Sequence, residues 1–193
     1  MARPKAFDRE TALQAALEVF WAKGYAGASA DDLTGAMGIG RQSLYDTFGD
    51  KRRLYLEALT RYNTDNVAGH LSSLRAAASP RQGIEELLLQ FANEPEDRRT
   101  RGCMGVNAIC EFGQDPDVAE ARRASGERLE AGLARLVENG QASGDIDASV
   151  DPRSAARFIA ATLAGMKVQA KAGAPAEVLR DVAAFAVGSL KPR

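Results

Sequence analysis

Two short helices separated by a glycine turn constrain the fold of this chain more than any other feature. The first helix is capped by Ser29 and ends at Gly38, a residue type that can adopt the left-handed conformation that terminates a helix. The second helix begins at Arg41 and places Leu44 and Phe48 four residues apart on one face. Two helices joined in this way are typical of a helix-turn-helix, which lays its second helix in the major groove of DNA.

The start of the second helix carries polar side chains that can read base edges. Arg41 can pair with guanine and Gln42 with adenine through two hydrogen bonds each, which contributes roughly 1–3 kcal/mol of discrimination per contact. Ser43 lies beside them at the same helix start. The alternative is that these residues form only a solvated polar face.

A longer set of residues in this part of the chain resembles a known family. The matching residues are Ile39, Gly40, Arg41, Gln42, Ser43, Leu44, Tyr45, Phe48, Lys51 and Leu54, preceded by Ala15, Ala16, Leu17, Glu18, Val19, Phe20, Gly24 and Tyr25. This pattern covers about residues 8–55 and resembles the DNA-binding segment of the TetR (tetracycline repressor) family of bacterial regulators.

The resemblance implies roles for further side chains in that segment. Ser29, Tyr45 and Lys51 match positions that hold phosphates in the family, and the helix starts at Ser29 and Lys51 also favour an anion electrostatically. Gln42 and Thr47 depart from the residues that many members carry at those positions. We expect both departures to alter which bases are read, and not whether DNA is bound.

The rest of the sequence predicts an all-α protein, because helix-forming residues are abundant and β-branched runs are rare. We expect an N-terminal three-helix helix-turn-helix domain over 1–50 and, as the resemblance implies, a C-terminal helical ligand-binding and dimerisation domain over 51–193. A first helix is predicted over 8–23. Later helices are predicted over 50–74, 82–91, 102–112, 116–139, 152–169 and from Pro175 onwards, and a solvated loop over 94–101.

The charge of the chain gives little sign of a nucleic-acid partner. The formal net charge is −1 overall and +1 over residues 1–55, whereas a DNA-binding domain usually carries a basic patch. The position of the charges favours DNA more, because Arg3 and Lys5 form an expected free arm and residues 51–53 are basic at a helix start. No apolar stretch approaches the roughly 20 residues that cross a bilayer, and we expect a cytoplasmic protein without a signal peptide.

The last two predicted helices are rich in small residues. These are Ala155, Ala156, Ala160, Ala161, Ala164 and Gly165 in one helix, and Ala183, Ala184 and Ala186 in the other. Apolar residues extend around more of each helix than one-sided burial needs. Burial within one subunit is the alternative explanation, but the resemblance implies a homodimer that forms through these two helices. Twofold symmetry then predicts a palindromic operator with half-sites about 34 Å apart.

The two cysteines of the chain lie seven residues apart on one predicted helix. Their α-carbons would be about 10 Å apart, too far for a disulfide. Cys103 sits at the predicted helix start just after Arg98, Arg99 and Arg101, and such cationic surroundings favour a reactive thiolate. The segment 102–108 also resembles one found in family members that sense electrophiles or oxidants. A buried, inert thiol is the alternative for Cys103, and we expect it for Cys110.

A ligand pocket between the central helices is expected from the resemblance. Its candidate residues are Tyr62, Phe91, Met104, Asn107, Phe112, Phe158, Met166 and Gln169, although each could be ordinary core. Asn107 and Gln169 are the better candidates, because a polar group on an apolar face needs a partner. Phe158, Met166 and Gln169 are expected on the inward face of their helix. The single histidine, His70, has no clustered ligands beside it, so we expect no metal site and no cofactor.

These observations predict a repressor that occupies its operator as a homodimer and is released by an unknown small molecule or by modification of Cys103. An enzyme is not expected, because the chain lacks an evident nucleophile with its base, and the glycines at 38 and 40 follow no strand. The alternative class is an all-helical, self-associating adaptor that does not bind DNA. Binding to an operator-length duplex with a steep salt dependence would distinguish the two classes.

Overall fold

The computed structural model describes residues 7–192, which form ten α-helices and no strands. In chain order the helices are α1 Arg9–Gly27, α2 Ala30–Met37, α3 Arg41–Phe48, α4 Lys51–Ala76, α5 Pro80–Asn93, α6 Glu96–Arg101, α7 Met104–Phe112, α8 Pro116–Ala142, α9 Pro152–Lys171 and α10 Ala176–Gly188. The all-α prediction is therefore confirmed. None of the helices over 7–192 is long and apolar enough to span a membrane.

Local capping chemistry fixes the first helix. The carboxylate of Asp8 accepts the backbone N–H of Thr11 at 2.7 Å and so caps the start of α1. Gly24 has a φ of 71°, which interrupts the helical conformation where the sequence predicts the helix end. The structure adds one short turn after this glycine before α1 ends at Gly27.

The helix-turn-helix prediction is confirmed in its geometry. Ser29 and Asp32 form a reciprocal capping box at the start of α2, so two backbone N–H groups that lack helical partners are satisfied. Gly38 ends α2 in the left-handed conformation, with φ 64° and ψ 29°. The buried side chains of Leu44 and Phe48 anchor α3 to the core.

Two apolar cores lie along the chain, and α4 contributes to both. The N-terminal core joins α1–α3 to the first half of α4 and also takes in Met104 and Ala108 of α7. An edge-to-face pair between Phe20 and Tyr55, with centroids 5.1 Å apart, lies within this core. The second core packs α5, α8, α9 and α10 around Leu74 at the end of α4. The domain boundary at residue 50 stays a prediction, since side chains beyond it complete the N-terminal core.

The structure corrects three expectations about the C-terminal helices. Residues 96–101 form α6 and not a loop, because the acidic first turn and arginine-rich last turn match the helix dipole. Ser79 caps α5 so that Pro80 becomes its first residue, two positions earlier than predicted. Phe158 and Gln169 face outward on α9, because the apolar side chains of Ile159, Leu163 and Met166 and their neighbours occupy its inner face.

Candidate functional site

The exposed face of α3 is built from the residues that the sequence singled out. Leu44 and Phe48 are buried, so the helix turns Arg41, Gln42 and Tyr45 outward. Tyr45 is 48% exposed, which is high for an aromatic side chain next to a packed helix face. Ser43 and Thr47 are half-buried at the edges of the same face. We call the exposed residues Arg41, Gln42 and Tyr45 the recognition face.

The two base-reading candidates, Arg41 and Gln42, each donate a hydrogen bond to an acidic side chain. The guanidinium of Arg41 donates to the Asp31 carboxylate at 2.9 Å, and this hydrogen bond raises the pKa of the guanidinium. The amide of Gln42 donates to the Asp46 carboxylate at 2.8 Å along the same helix. The side chains of Arg41 and Asp31 are 62% and 80% exposed, so the ion pair contributes little to stability and can exchange partners.

The candidate phosphate-binding residues also have contacts within the chain. Besides its capping role, the Ser29 hydroxyl donates to the Asp32 carboxylate at 2.8 Å. The ammonium of Lys51 lies 4.5 Å from the centre of the Tyr25 ring, a cation–π contact at the start of α4. Asp32 accepts a hydrogen bond from Lys23, and this bond is the main cause of its lowered pKa.

Ion pairs with acidic side chains neutralise several basic residues of this region. Lys23 pairs with Asp32, and Arg9 donates to Glu57 through two bonds of 2.6 and 2.8 Å. Arg52 binds Asp115 and Asp117 at the start of α8, each at 2.8 Å, and so ties α4 to the C-terminal helices. The predicted arm residues Arg3 and Lys5 lie outside the described residues.

A second candidate site surrounds Cys103, which precedes the first residue of α7 and is 6% exposed. The ammonium of Lys167, also 6% exposed, donates to the Cys103 sulfur at 3.7 Å. Lys167 additionally lies 4.9 Å from the centre of the Phe91 ring. The nearby Tyr62 hydroxyl has a raised pKa, mainly because of burial and secondly because of the adjacent Cys103. The structure thus pairs the thiol with a buried lysine of α9, and not with the arginines that precede it in sequence.

His70 adds a further polar group to this interior. It is 3% exposed, and its Nε2 atom makes no hydrogen bond within the described part of the chain. Burial lowers the pKa of its imidazole to about 4, and the positive charge of Lys167 acts in the same direction. His70 and Lys167 therefore place two polar nitrogen groups in a mainly apolar region.

The remaining ligand candidates divide between the interior and the surface. Tyr62, Phe91, Met104 and Met166 are buried. Phe112 is half-buried and packs 5.3 Å, centre to centre, from Tyr55. Phe158 and Gln169 cannot line the expected interior pocket from their outward positions on α9. Asn107 is half-buried on α7, and its amide donates to the carbonyl of Arg101 at 3.2 Å.

The expectation of a buried Cys110 is wrong. Its thiol is free and the residue is exposed, because α7 turns its other face, with Met104 and Ala108, towards the core. Sequence reasoning also missed Lys167, although a lysine between Leu163 and Ala170 on the apolar face of α9 is a usable signal. No comparable local signal identified Glu111, whose carboxylate accepts the backbone N–H groups of Tyr25 and Ala26 at 3.0 and 2.8 Å.

The last two helices present an exposed apolar surface. Phe185 is 81% exposed, and Phe158, Val178 and Val182 are each at least 40% exposed. The small residues Ala155, Ala156, Ala183 and Ala186 are instead buried within the chain. Of the other small residues, Ala161, Gly165 and Ala184 are exposed and Ala160 and Ala164 are half-buried, so large apolar and small residues share the outer surface of α9 and α10. We call Phe158, Val178, Val182 and Phe185 the α9–α10 face.

Comparison with known families identifies two matching segments. Residues 12–58 match the model of the N-terminal domain described as bacterial regulatory proteins, tetR family. Residues 80–185 match the model described as tetracyclin repressor-like, C-terminal domain. The first segment contains α2 and α3, and the second contains the helices from α5 to most of α10.

Individual proteins are similar over nearly the whole chain. An uncharacterised HTH-type transcriptional regulator, YezE of Bacillus subtilis, is 33% identical over 94% of this chain and 95% of its own length. The HTH-type transcriptional repressor ComR of Escherichia coli is 30% identical, over 94% of this chain and 88% of its own length. A solved cysteine mutant of the TetR family regulator CifR, complexed with 26-base-pair operator DNA, is 37% identical with a TM-score of 0.81, over 98% of this chain and 100% of that one.

Proposed function

Because this chain belongs to the TetR family of transcriptional regulators, which bind DNA and are not enzymes, we propose that it represses transcription by occupying a palindromic operator as a homodimer. The observation that carries the proposal is the recognition face, since Arg41, Gln42 and Tyr45 project from a helix whose other side is anchored by buried residues. The likeness to CifR, which was solved with its operator, supports the same assignment.

The proposed contacts follow from the chemistry of each side chain. Arg41 leaves Asp31 and pairs with guanine, and Gln42 leaves Asp46 and pairs with adenine. Ser43 and Thr47 contact the groove at the edges of the recognition face. Ser29, Tyr45 and Lys51 bind the phosphates on either side.

Release is proposed to depend on the interior around Cys103. A small molecule that enters among Tyr62, Phe91, Met104 and Met166, or a covalent modification of the Cys103 thiol, would disturb the packing of α4 and α7. Because α4 follows the recognition helix directly, a shift of α4 changes the separation of the two recognition helices in a dimer. A coupling of about 1–3 kcal/mol lowers operator affinity roughly 5- to 150-fold.

Selection of bound fragments from genomic DNA tests the proposed DNA binding. We expect palindromic sites that are bound with a steep salt dependence. Arg41→Ala should lower affinity for the selected site about 5- to 150-fold, the equivalent of roughly 1–3 kcal/mol. Arg75→Ala, which removes an exposed arginine from the last turn of α4, is the charge-matched control and should change affinity less than twofold. If no fragment is bound, the helical adaptor is the better description.

Treatment with N-ethylmaleimide tests the role of the thiol. We expect the wild-type protein and the Cys110→Ser variant to release the operator, whereas Cys103→Ser should retain it. A Cys103→Ser protein that releases DNA as readily as the wild type would exclude Cys103 as the sensor. The Cys110→Ser control is needed because the exposed thiol also reacts with the reagent.

A further inference from the structure

A cleft of about 630 Å³ opens where α1, α6, α7 and the C-terminal end of α9 meet. Its walls include Trp21, Val106, Asn107, Cys110, Val168 and Lys171. This volume lies in the range of small-molecule sites, roughly 300–1,000 Å³. The cleft is separate from the recognition face and from the buried region around Lys167.

The wall of the cleft offers a mainly apolar surface. Trp21 is half-buried, and its indole N–H is already used in a 3.0 Å hydrogen bond to the carbonyl of Gly102. Val168 is 46% exposed and Val106 is half-buried. An apolar body, such as one aromatic ring, would therefore displace water from surfaces that hydrate poorly.

Cationic side chains dominate the charge of the cleft. Lys23, Arg101 and Lys171 line it, and Glu111 is the acidic residue among the lining groups. Both carboxylate oxygens of Glu111 are occupied by the backbone N–H groups of Tyr25 and Ala26.

The three cations differ in how far they are neutralised. Lys23 pairs with Asp32, and Arg101 lies 3.5 Å from Glu18. Among the ion pairs of residues 7–192, none involves Lys171. Lys171 is therefore the ammonium best able to bind an incoming anion.

The position of the cleft connects it to the helix-turn-helix. Its α1 wall belongs to the same apolar core as α2 and α3. The bonds from Trp21 to Gly102 and from Tyr25 to Glu111 join this wall to the α6–α7 side. A molecule held between the two walls would contact both sides of this junction. The affinity of the cleft for this molecule then depends on the spacing of α1 and α7. Binding in the cleft can be coupled to operator binding if the DNA-bound and free forms differ in that spacing.

We propose that this cleft binds an organic monoanion with an apolar, ring-sized body, that Lys171 holds the anionic group, and that binding lowers affinity for the operator. The regulatory part of this proposal rests on the proposed function, whereas the binding part does not. The site differs from the interior effector region, since none of Tyr62, Phe91, Met104 and Met166 lines the cleft, and Asn107 is the one ligand candidate from the sequence that does.

The single tryptophan of the chain, Trp21, provides a direct measurement of occupancy. The probes are para-bromophenylacetate and its neutral amide, because bromine quenches indole fluorescence on contact. We expect saturable quenching by the carboxylate and at least fivefold weaker binding of the amide. Lys171→Met, which keeps most of the side-chain stem, should weaken carboxylate binding at least fivefold and leave amide binding unchanged. Lys191→Met, at an exposed lysine outside the cleft, should change neither.

Equal binding of the acid and the amide, or unchanged acid binding by Lys171→Met, would overturn the assigned site. The regulatory part is measured with a selected operator duplex. Para-bromophenylacetate at saturation should lower wild-type operator affinity about fivefold or more, and Lys171→Met should need at least fivefold more of the probe for the same effect. If the acid binds but operator affinity is unchanged, the regulatory part is wrong. Operator binding without the probe tests the proposed function alone, so the two failures can be told apart.

Discussion

The guanidinium of Arg41 lies 2.9 Å from the carboxylate of Asp31, so the foremost base-reading candidate is bound to an acid of the preceding helix. Both side chains are mostly exposed, at 62% and 80%, and water screens the pair strongly. Asp31 therefore competes with DNA for the arginine without adding much to the stability of the fold. Its negative charge would also lie close to the phosphates of a bound duplex.

Asp31→Asn should consequently strengthen operator binding, by about two- to tenfold at low salt. The reason is that Arg41 no longer has to leave an ion pair, and that one repulsive charge is removed. Fluorescence anisotropy with a selected operator over a range of salt concentrations measures the effect. The gain should shrink as salt rises, because screening weakens both contributions.

Asp65→Asn provides a matched control for this prediction. Asp65 also pairs with an arginine, Arg61, but it lies in the middle of α4, about 20 Å along that helix from its start. Its removal should leave operator affinity within twofold. Weaker binding by Asp31→Asn would instead mean that Asp31 orients Arg41 for its base.

Glu111 connects α7 to the end of α1, and its loss should loosen that junction. Glu111→Ala removes the acceptor for the N–H groups of Tyr25 and Ala26, which should then exchange with deuterium faster than in the wild type. We expect a loss of about 1–2 kcal/mol in the free energy of unfolding, at the lower end for charge-assisted hydrogen bonds because the carboxylate is exposed. Amide exchange by NMR and urea unfolding measure the two effects.

Glu138→Ala is a suitable control for this variant, since Glu138 is exposed on α8. It should alter neither the exchange at Tyr25 and Ala26 nor the free energy of unfolding by more than about 0.5 kcal/mol. If Glu111→Ala leaves the exchange of both amides at the wild-type rate, these hydrogen bonds do not hold the junction.

Several helix starts, although not those of α5 and α6, could be predicted from the sequence because their signals are local. Ser29, Asp50 and Asp151 each cap a helix where the sequence placed one, since a side-chain oxygen accepts a nearby backbone N–H. The outward face of α9 could not be predicted in this way. Phe158 is apolar and suits a core position, and only the packing of Ile159 and its neighbours against other helices turns it outward.

The candidate sites show the same division between local and distant signals. The recognition face follows from one helix and its spacing, and could be predicted. The contact between Cys103 and Lys167 joins residues 64 positions apart, and neither residue signals the other in the sequence. The same holds for the cleft near Lys171, which forms only when four separate helices meet.

His70 should make stability depend on pH in the acidic range. Its pKa falls from an ordinary value of 6.5 to about 4 in the folded chain, because of burial and then the charge of Lys167. The unfolded chain therefore takes up a proton first as the pH falls, so stability is lost between about pH 6.5 and 4. Between pH 7.5 and 5 the free energy of unfolding should fall by about 2 kcal/mol through His70 alone.

His70→Gln removes the titrating group while keeping a polar side chain of similar length. Urea unfolding at both pH values, at a fixed protein concentration, should show a pH-dependent loss about 2 kcal/mol smaller than in the wild type. The carboxylates titrate in both proteins, so the difference between the two losses isolates His70. An identical pH dependence in both proteins would mean that the imidazole is not held neutral by the fold.

The α9–α10 face should carry the proposed homodimer, and Phe185→Asp tests it. Phe185 is 81% exposed in the single chain, so an aspartate there should leave the fold intact but place a charge in the subunit interface. Sedimentation velocity should show a dimer for the wild type and a monomer for the variant. Operator affinity should fall by about 100-fold or more, because the two half-sites no longer bind as one unit.

Ile109→Asp makes the same chemical change on α7, at a residue that is 40% exposed and outside the α9–α10 face. This control should remain dimeric, and circular dichroism should give the same helix content for both variants. A Phe185→Asp protein that stays dimeric would place the interface on another surface. A wild-type protein that is monomeric yet binds a palindrome tightly would exclude the homodimer itself, because the twofold arrangement of half-sites would then have no counterpart in the protein.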